Sequence, residues 1–195
     1  MARRKRYLIA GTGPRVGKTT IGCALGFAMR ARGMRVGVMK PADTLDSQDA
    51  QALALAVGSV MPMELICPFR YDSAPALADV RDLAHIARCF AEVAAQNDAV
   101  LVESASMIDF AHLAAMLNLE VIIVVGNRPG CMNAARHLIQ QCESCGLKVA
   151  GGILCDCDPA TETGEPSMRE SFGASYLGRM RHREPLSKTI VEQLI

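Results

Sequence analysis

The sequence is poor in aromatic side chains and has no long apolar run. It contains no Trp, five Phe and three Tyr among 195 residues, although 50% of its residues are hydrophobic. Aliphatic side chains must therefore fill its core, which suits helices packed on a buried parallel sheet. No stretch approaches the ~18 apolar residues that a membrane-spanning helix needs. A chain of this length fits one domain, and we expect residues 1–195 to form it.

The chain also lacks a strong net charge and a secretion signal. Its 21 basic and 20 acidic residues leave a net charge of +1, so nothing attracts the whole molecule to nucleic acid or to a membrane. The basic residues 3–6 are followed by an apolar stretch of only residues 7–10, which is too short for a signal peptide. We therefore expect a cytoplasmic protein with neither a nucleic acid nor a membrane as its partner.

Eight cysteines are present, and their context favours reduced thiols. Cys142 and Cys145 form a Cys-x-x-Cys pair, and Cys155 and Cys157 form a Cys-x-Cys pair. Two such pairs fit a Zn²⁺ site of four thiolates, within one subunit or across a dimer. A spacing of three residues on a helix is equally typical of plain packing. Whether these pairs bind metal stays open at this point.

Strand patterns alternate with helix patterns along most of the chain. The sequence predicts strands at residues 7–10, 36–39, 99–102, 121–125 and 149–154. It predicts helices at residues 18–32, 46–57, 80–96, 110–117 and 131–145, and a polar loop at residues 156–167. This alternation predicts an α/β fold with a doubly wound, mostly parallel sheet and helices on both faces.

A glycine-rich segment joins the first predicted strand to the first predicted helix. It reads Gly11-Thr12-Gly13-Pro14-Arg15-Val16-Gly17-Lys18-Thr19-Thr20. Glycines let the backbone N–H groups face phosphates, and the helix N-terminus adds partial positive charge. In such a loop Lys18 reaches the β- and γ-phosphates, and the Thr19 hydroxyl ligates Mg²⁺. The segment therefore predicts a P-loop NTPase.

Charged residues follow two further predicted strands, at the edge where α/β sheets bind ligands. Glu103 ends the third strand, and its carboxylate is the kind of hard ligand that Mg²⁺ prefers. Lys40 leaves the second strand, where an ammonium can meet an anionic substrate or the γ-phosphate. Asp43, Asp46 and Asp49 come next, and spacing does not choose among them as metal ligands. The basic residues Arg179, Arg181, His182 and Arg183 form either a solvated face or a cover over a phosphate tail.

The order of these motifs resembles the dethiobiotin synthetases, ATP-dependent ring-closing enzymes of biotin synthesis. Their loop, Gly-Thr-Asp-Thr-x-Val-Gly-Lys-Thr, is similar to the segment that begins at Gly11. Their Lys-Pro pair matches Lys40-Pro41, and their Asp-Ala-Leu helix start resembles Asp49-Ala50 with Leu53. The segments Val124-Val125-Gly126, Gly130-Cys131-Met132-Asn133-Ala134 and Gly146-Leu147 continue the likeness, which extends to about Pro159.

The resemblance implies a role for each matching residue. The nucleotide would be bound by Gly13, Arg15, Val16, Gly17, Lys18, Thr19, Thr20, Cys155 and Asp156. Thr19, Asp49 and Glu103 would hold Mg²⁺, and Thr12, Lys40 and Thr44 would contact the small-molecule substrate. Lys18 and Lys40 would be catalytic. The implied reaction joins CO₂ to an amine of 7,8-diaminononanoate, activates the carbamate with ATP, and closes a cyclic urea. A homodimer is implied as well.

The sequence departs from that family in several places, among them Arg181, which stands where a late Pro is expected. Pro14 and Arg15 replace a Thr and an acidic residue near substrate and phosphate. The glycines after the strand-end Glu have become Ser104-Ala105-Ser106-Met107. Cys155 stands where an adenine-reading Asn is expected, and the family's Ser-Pro-His segment is reduced to Ser73-Ala74-Pro75.

These departures keep two other functions open. One is a nucleotide sensor that has the phosphate loop but no substrate site. The other is a metallocentre-assembly ATPase that uses the cysteine pairs. A glutamine-dependent amidase would need a further domain, for which this length leaves no room.

Overall fold

The computed structural model describes residues 4–72, 80–104, 110–156 and 165–195. Its strands are β1 (Lys5–Gly11), β2 (Val36–Met39), β3 (Ala42–Thr44), β4 (Phe69–Tyr71), β5 (Ala99–Glu103), β6 (Glu120–Gly126), β7 (Val149–Cys155) and β8 (Tyr176–Met180). Its helices are α1 (Lys18–Arg30), α2 (Asp49–Ala56), α3 (Met63–Ile66), α4 (Val80–Gln96), α5 (Phe110–Leu117), α6 (Cys131–Ser144), α7 (Glu165–Phe172) and α8 (Lys188–Leu194).

Six of the strands form one parallel sheet in the order β2-β5-β1-β6-β7-β8. Side chains of the central strands alternate between two hydrophobic clusters because successive residues of a strand point to opposite faces. Leu8 and Ala10 lie in one cluster with residues of α4, α5, α6 and α7. Ile9 lies in the other with residues of α1, α2 and α8. The doubly wound α/β prediction is therefore confirmed.

The longest helix, α4, has 17 residues, and it packs against the sheet through Ile86, Phe90 and Val93. In the parts of the chain that the structure describes, every helix is too short or too polar to span a lipid bilayer.

Several elements differ from the sequence-based predictions. α2 begins at Asp49 rather than at residue 46. In the segment before it, Arg70 Nη2 donates to the Leu45 carbonyl at 2.7 Å and to the Ser47 carbonyl. β3 and β4 form a small separate parallel sheet that the sequence did not predict. The predicted loop at residues 156–167 ends early, because α7 begins at Glu165. The sequence analysis also did not predict β8 and α8, because their apolar patterns are short.

Strand register places the site at the carboxyl edge of the sheet. β1 lies between β5 and β6, and Ile9 of β1 pairs with Glu103 of β5. Ser104 donates from its backbone N–H and from its hydroxyl to the Ile9 carbonyl, each at 3.1 Å. The end of β5 is thereby fixed beside the start of the glycine-rich loop.

Candidate active site

The loop after β1 is held in place by contacts with β6. The Thr12 N–H donates to the Val124 carbonyl at 3.0 Å, and the Thr12 hydroxyl accepts from the Gly126 N–H at 3.3 Å. Val16 is buried beneath the loop. Its methyl groups have room because Gly11 and Gly126 have no side chains. A Cβ on Gly11 would lie 2.7 Å from a Val16 methyl group, and one on Gly126 would lie 2.8 Å away. A buried aliphatic side chain thus sets the curl of the loop.

Gly17 joins the loop to α1 as its N-cap, with a φ of 94°. A side chain is strained in that left-handed conformation. A Cβ there would also lie 2.5 Å from the Cys155 sulfur. The Gly17 carbonyl accepts from the Ile21 N–H at 2.9 Å, so the helix starts immediately and its N-terminal amides face the loop.

Lys18 is folded back under the loop. Its Nζ donates to the Gly13 carbonyl at 3.1 Å, and only 9% of the residue is exposed. Burial lowers the pKa of Lys18, and the nearby Glu103 carboxylate offsets part of that effect. The ammonium therefore lies where a bound phosphate would offer it stronger, charged acceptors.

Glu103 is the most deeply buried carboxylate of the site, with 1% of the residue exposed. Its Oε1 accepts from the Thr19 hydroxyl at 3.0 Å and from Lys40 Nζ at 3.0 Å. Within the part of the chain that the structure describes, its Oε2 has no hydrogen-bond partner. The structure thus brings Thr19 of α1 and Glu103 of β5 together in one hydrogen bond.

Lys40 lies among three carboxylates. Besides Glu103, its Nζ donates to Asp49 Oδ2 and lies 3.6 Å from Asp43 Oδ1. Asp46, by contrast, is exposed and does not line the cleft. Asp43 and Asp49 therefore face the cleft and Asp46 does not, which the spacing of the three residues could not decide.

Burial and charge act in opposite directions on this ion pair. Burial by itself lowers the pKa of Lys40, but the charges and hydrogen bonds of Glu103 and Asp49 outweigh it and raise that pKa. Burial raises the pKa of Glu103, and Lys40 and Thr19 counter it. A raised pKa by itself would favour a neutral Glu103 carboxyl group. Glu103 Oε1, however, accepts hydrogen bonds from both Thr19 and Lys40, so we take Glu103 as a carboxylate and Lys40 as an ammonium.

These residues fit a Mg²⁺ ion held beside phosphate. In the described ranges no group of three or more His, Cys, Asp or Glu side chains forms a metal site by itself. Mg²⁺ in nucleotide sites is usually held by one or two carboxylates together with phosphate and water. The unpartnered Oε2 of buried Glu103 and the adjacent Thr19 hydroxyl suit that arrangement.

The side chains of Lys18, Thr19, Lys40, Asp43, Asp49 and Glu103 open onto one cleft of about 960 Å³. The loop and α1 contribute Pro14, Arg15, Val16, Gly17, Lys18, Thr19 and Thr20; the other walls are Lys40, Ala42, Asp43, Thr44, Ser47, Asp49, Glu103, Ser104, Cys155, Asp156, Met180, His182 and Arg183. Thr12 and Gly13 are not among the lining residues, and Thr12 instead ties the loop to β6. Residues 105–109 and 73–75, which include Ser106, Met107 and the shortened Ser-Ala-Pro segment, lie outside the described residues.

Two residues of the cleft lie at the carboxyl end of β7: Cys155 is the last residue of the strand, and Asp156 follows it. Cys155 is 2% exposed and faces the backbone of Gly17. The Asp156 carboxylate accepts from Asn127 Nδ2 at 2.7 Å and from Arg179 Nε at 2.9 Å. The sequence analysis missed Asn127, although its place directly after β6, at the sheet's carboxyl edge, was a usable signal.

We expect weak discrimination among nucleobases in this part of the cleft. The Cys155 thiol is buried and is a poor partner for either edge of adenine, while Asn127 and Arg179 already bind Asp156. Losing a paired hydrogen bond costs about 1–2 kcal/mol, so dissociation constants for ATP, GTP and CTP should agree within roughly tenfold. Competition binding measures this. A much stronger preference for ATP that is lost in Asp156→Asn would show that Asp156 reads the base.

The cysteine pairs differ in their surroundings. Cys142 is fully buried in α6, and burial raises the pKa of its thiol to about 11. Cys145 is exposed. The buried thiol of Cys142 is thus a packed core group, whereas Cys145 follows the end of α6 at Ser144 and does not share that packing. Cys157 lies outside the described residues, so the pair with Cys155 is not assessed.

The parallel sheet, the glycine-rich loop that opens α1, and the Lys18, Thr19 and Glu103 cluster define a P-loop nucleotide-binding protein. Solved structures share this fold. A ParA family ATPase from Chlorobium tepidum TLS superposes with a TM-score of 0.59 at 16% identity, covering 96% of each chain. A chain of a MinC:MinD cell division protein complex from Aquifex aeolicus superposes with a TM-score of 0.65 at 16% identity, covering 97% of this chain and 86% of that one.

Sequence comparison identifies the family. A family model described as "AAA domain" matches residues 5–189. The ATP-dependent dethiobiotin synthetase BioD of Anaeromyxobacter dehalogenans (strain 2CP-C) is 33% identical, over 92% of this chain and 86% of its own length. The ATP-dependent dethiobiotin synthetase BioD of Xylella fastidiosa (strain M12) is 31% identical, over 92% of this chain and 91% of its own length. The chain belongs to the dethiobiotin synthetase family, and it is an ATP-dependent ligase of that type.

Proposed function

We propose that this chain closes a cyclic urea from 7,8-diaminononanoate and CO₂ at the expense of ATP. In this reaction one amine takes up CO₂ as a carbamate and loses a proton. The carbamate oxygen then attacks the γ-phosphorus and displaces ADP, which gives a carbamoyl phosphate mixed anhydride. The second amine attacks the carbonyl carbon and loses a proton, and phosphate leaves. Family membership supports this substrate.

The observation that carries the proposal is the convergence of two lysines on one buried carboxylate. Lys40 Nζ lies 3.0 Å from Glu103 Oε1. Burial lowers the pKa of Lys18, and the Glu103 carboxylate opposes that larger effect by raising it. Lys18 and Lys40 line the same cleft as Thr19 and Glu103. Two cations at this position suit a reaction in which an anionic carbamate approaches an anionic phosphate.

Each residue then has a physical task. The amides at the start of α1 and the Lys18 ammonium bind the phosphates and stabilise charge on them. Thr19, Asp49 and Glu103 would hold Mg²⁺, which neutralises phosphate charge when it is bound. Lys40 lowers the repulsion between carbamate and phosphate. Thr44, which lines the same wall as Asp43, would contact the substrate.

Phosphate release tests this function directly. We expect release from Mg-ATP to require both 7,8-diaminononanoate and bicarbonate, and a monoamine of the same chain length to support no ring closure. Mass spectrometry would identify the cyclic urea. Turnover that stays at background with both compounds, together with intact ATP binding, would reject the synthetase and favour the nucleotide sensor.

Family membership also supports a homodimer, a single domain and a cytoplasmic location, which remain predictions. Light scattering in solution measures the first of these. The family match over residues 5–189 supports the second.

A further inference from the structure

Lys40 has more acidic neighbours than one ammonium can satisfy. Its Nζ contacts Asp49 Oδ2 and Glu103 Oε1, and it lies 3.6 Å from Asp43 Oδ1. The side chain of Lys40 is only 7% exposed, as is that of Asp43. Both Asp43 Oδ2 and Glu103 Oε2 are buried and have no hydrogen-bond partner among the described residues. Two carboxylates of the cluster therefore each have an unused acceptor oxygen.

The two closest partners of Lys40 are also the two carboxylates predicted to hold the metal. An ammonium that hydrogen-bonds Asp49 and Glu103 lies where a divalent cation would be ligated. Two such positive charges repel each other strongly at a separation of about 3–4 Å in a partly buried site. The metal and the observed Lys40 conformation therefore compete for the same oxygens.

We infer that Lys40 exchanges carboxylate partners, leaving Asp49 and Glu103 for Asp43 when a divalent cation binds. Asp43 is then a positioning residue that fixes the catalytic lysine in the loaded enzyme. The inference rests on the metal site of the proposed function and not on its organic substrate. It makes binding of the metal and delivery of Lys40 to the reacting groups one coupled event.

Asp43 has the geometry for this task. It belongs to β3, which pairs with β4, so its backbone is fixed. The Thr44 N–H donates to Oδ1 at 2.9 Å and orients the carboxylate. Lys40 Nζ lies 3.6 Å from Asp43 Oδ1, so a change in the side-chain torsions of Lys40 brings the two atoms within hydrogen-bond distance. Asp43 shares the cleft wall with Thr44, the predicted substrate contact, so the exchange moves the ammonium towards that wall.

Binding of Mn²⁺ to the nucleotide-free protein, measured by electron paramagnetic resonance, tests the exchange without any turnover. Lys40→Met removes the competing ammonium, so we expect Mn²⁺ affinity to rise by about tenfold. Asp43→Asn deprives the displaced lysine of its new partner, and affinity should fall by about tenfold. In the Lys40→Met background the same Asp43→Asn change should alter affinity by less than about twofold.

The double-mutant cycle separates this role from a direct one. An equal loss of affinity from Asp43→Asn in both backgrounds would mean that Asp43 acts on the cation itself, and it would overturn the inference. Mn²⁺ affinity that is unchanged or lower in Lys40→Met would overturn it as well. Lys148→Met is the matched control, because Lys148 pairs with Glu120 at the exposed end of the sheet, at 2.9 Å.

A crystal structure of the wild-type protein with Mn²⁺ does not depend on whether the variants fold. We expect Lys40 Nζ within hydrogen-bond distance of Asp43, with Asp49 and Glu103 directed at the cation. Lys40 still bonded to Asp49 and Glu103 beside a bound cation would refute the exchange. Neither experiment uses diaminononanoate, so a wrong substrate assignment would leave both results intact.

Discussion

Lys18→Ala is expected to weaken ATP binding by roughly 10- to 100-fold. A hydrogen bond to a charged group is worth about 1.5–3 kcal/mol, and each 1.4 kcal/mol changes affinity tenfold. In the structure the ammonium is held only 3.1 Å from the Gly13 carbonyl, within the loop that would receive the phosphates. Titration calorimetry with ATP and Mg²⁺ measures the loss, and AMP binding should change much less.

Folding must be separated from binding in this variant, because Lys18 is buried and its stem lies close to Gly11. Lys18→Met keeps the volume of the stem and removes only the charge, and it should lose as much ATP affinity as Lys18→Ala. Lys148→Ala, which removes an exposed lysine, serves as the control. Wild-type ATP affinity in both Lys18 variants would contradict the P-loop assignment.

Lys40→Ala is expected to lower diaminononanoate-dependent phosphate release by about 10²–10³ while ATP still binds. Removing one preorganised donor from a phosphoryl-transfer site typically has an effect of this size. The ammonium lies next to Asp49 and Glu103 and opens onto the cleft beside Thr19. Steady-state release of phosphate and calorimetric ATP affinity, measured on the same preparation, separate chemistry from binding.

The variant leaves Asp43, Asp49 and Glu103 without their buried counter-charge. We therefore expect a lower melting temperature without Mg²⁺ and substantial recovery with Mg-ATP, because a ligand that binds the native state stabilises it. Equal losses of ATP affinity and turnover would show that Lys40 serves nucleotide binding, and that result would contradict its proposed catalytic role.

Local sequence was sufficient for the elements that carry the site. The loop could be predicted because glycine, lysine and threonine at fixed spacing between a strand and a helix have few other uses. The central strands could be predicted because they are apolar throughout, as strands buried on both faces must be. Helix α1 ends at Arg30, close to its predicted end, and Gly33 follows with a φ of 83°.

Other features depended on contacts that short patterns do not contain. The start of α2 moved from residue 46 to Asp49, where Ser47 Oγ accepts from the Asp49 N–H at 3.2 Å. The small β3–β4 sheet pairs residues that lie 27 positions apart in the sequence, Ala42 with Phe69 among them. Each of these strands has only three residues, too few for periodicity to register.

Motif order and spacing are enough to predict the class of this protein: a phosphate loop on a doubly wound sheet, with Lys40 and Glu103 at its carboxyl edge. The folded chain is needed to see which acidic residues after β2 contact Lys40, that the Cys155 thiol packs against Gly17, and that Asp156 is bound by Asn127 and Arg179. Local spacing fixes how a backbone folds, whereas the partner of a buried charge is set by whichever distant segment the folded chain brings within about 3–4 Å.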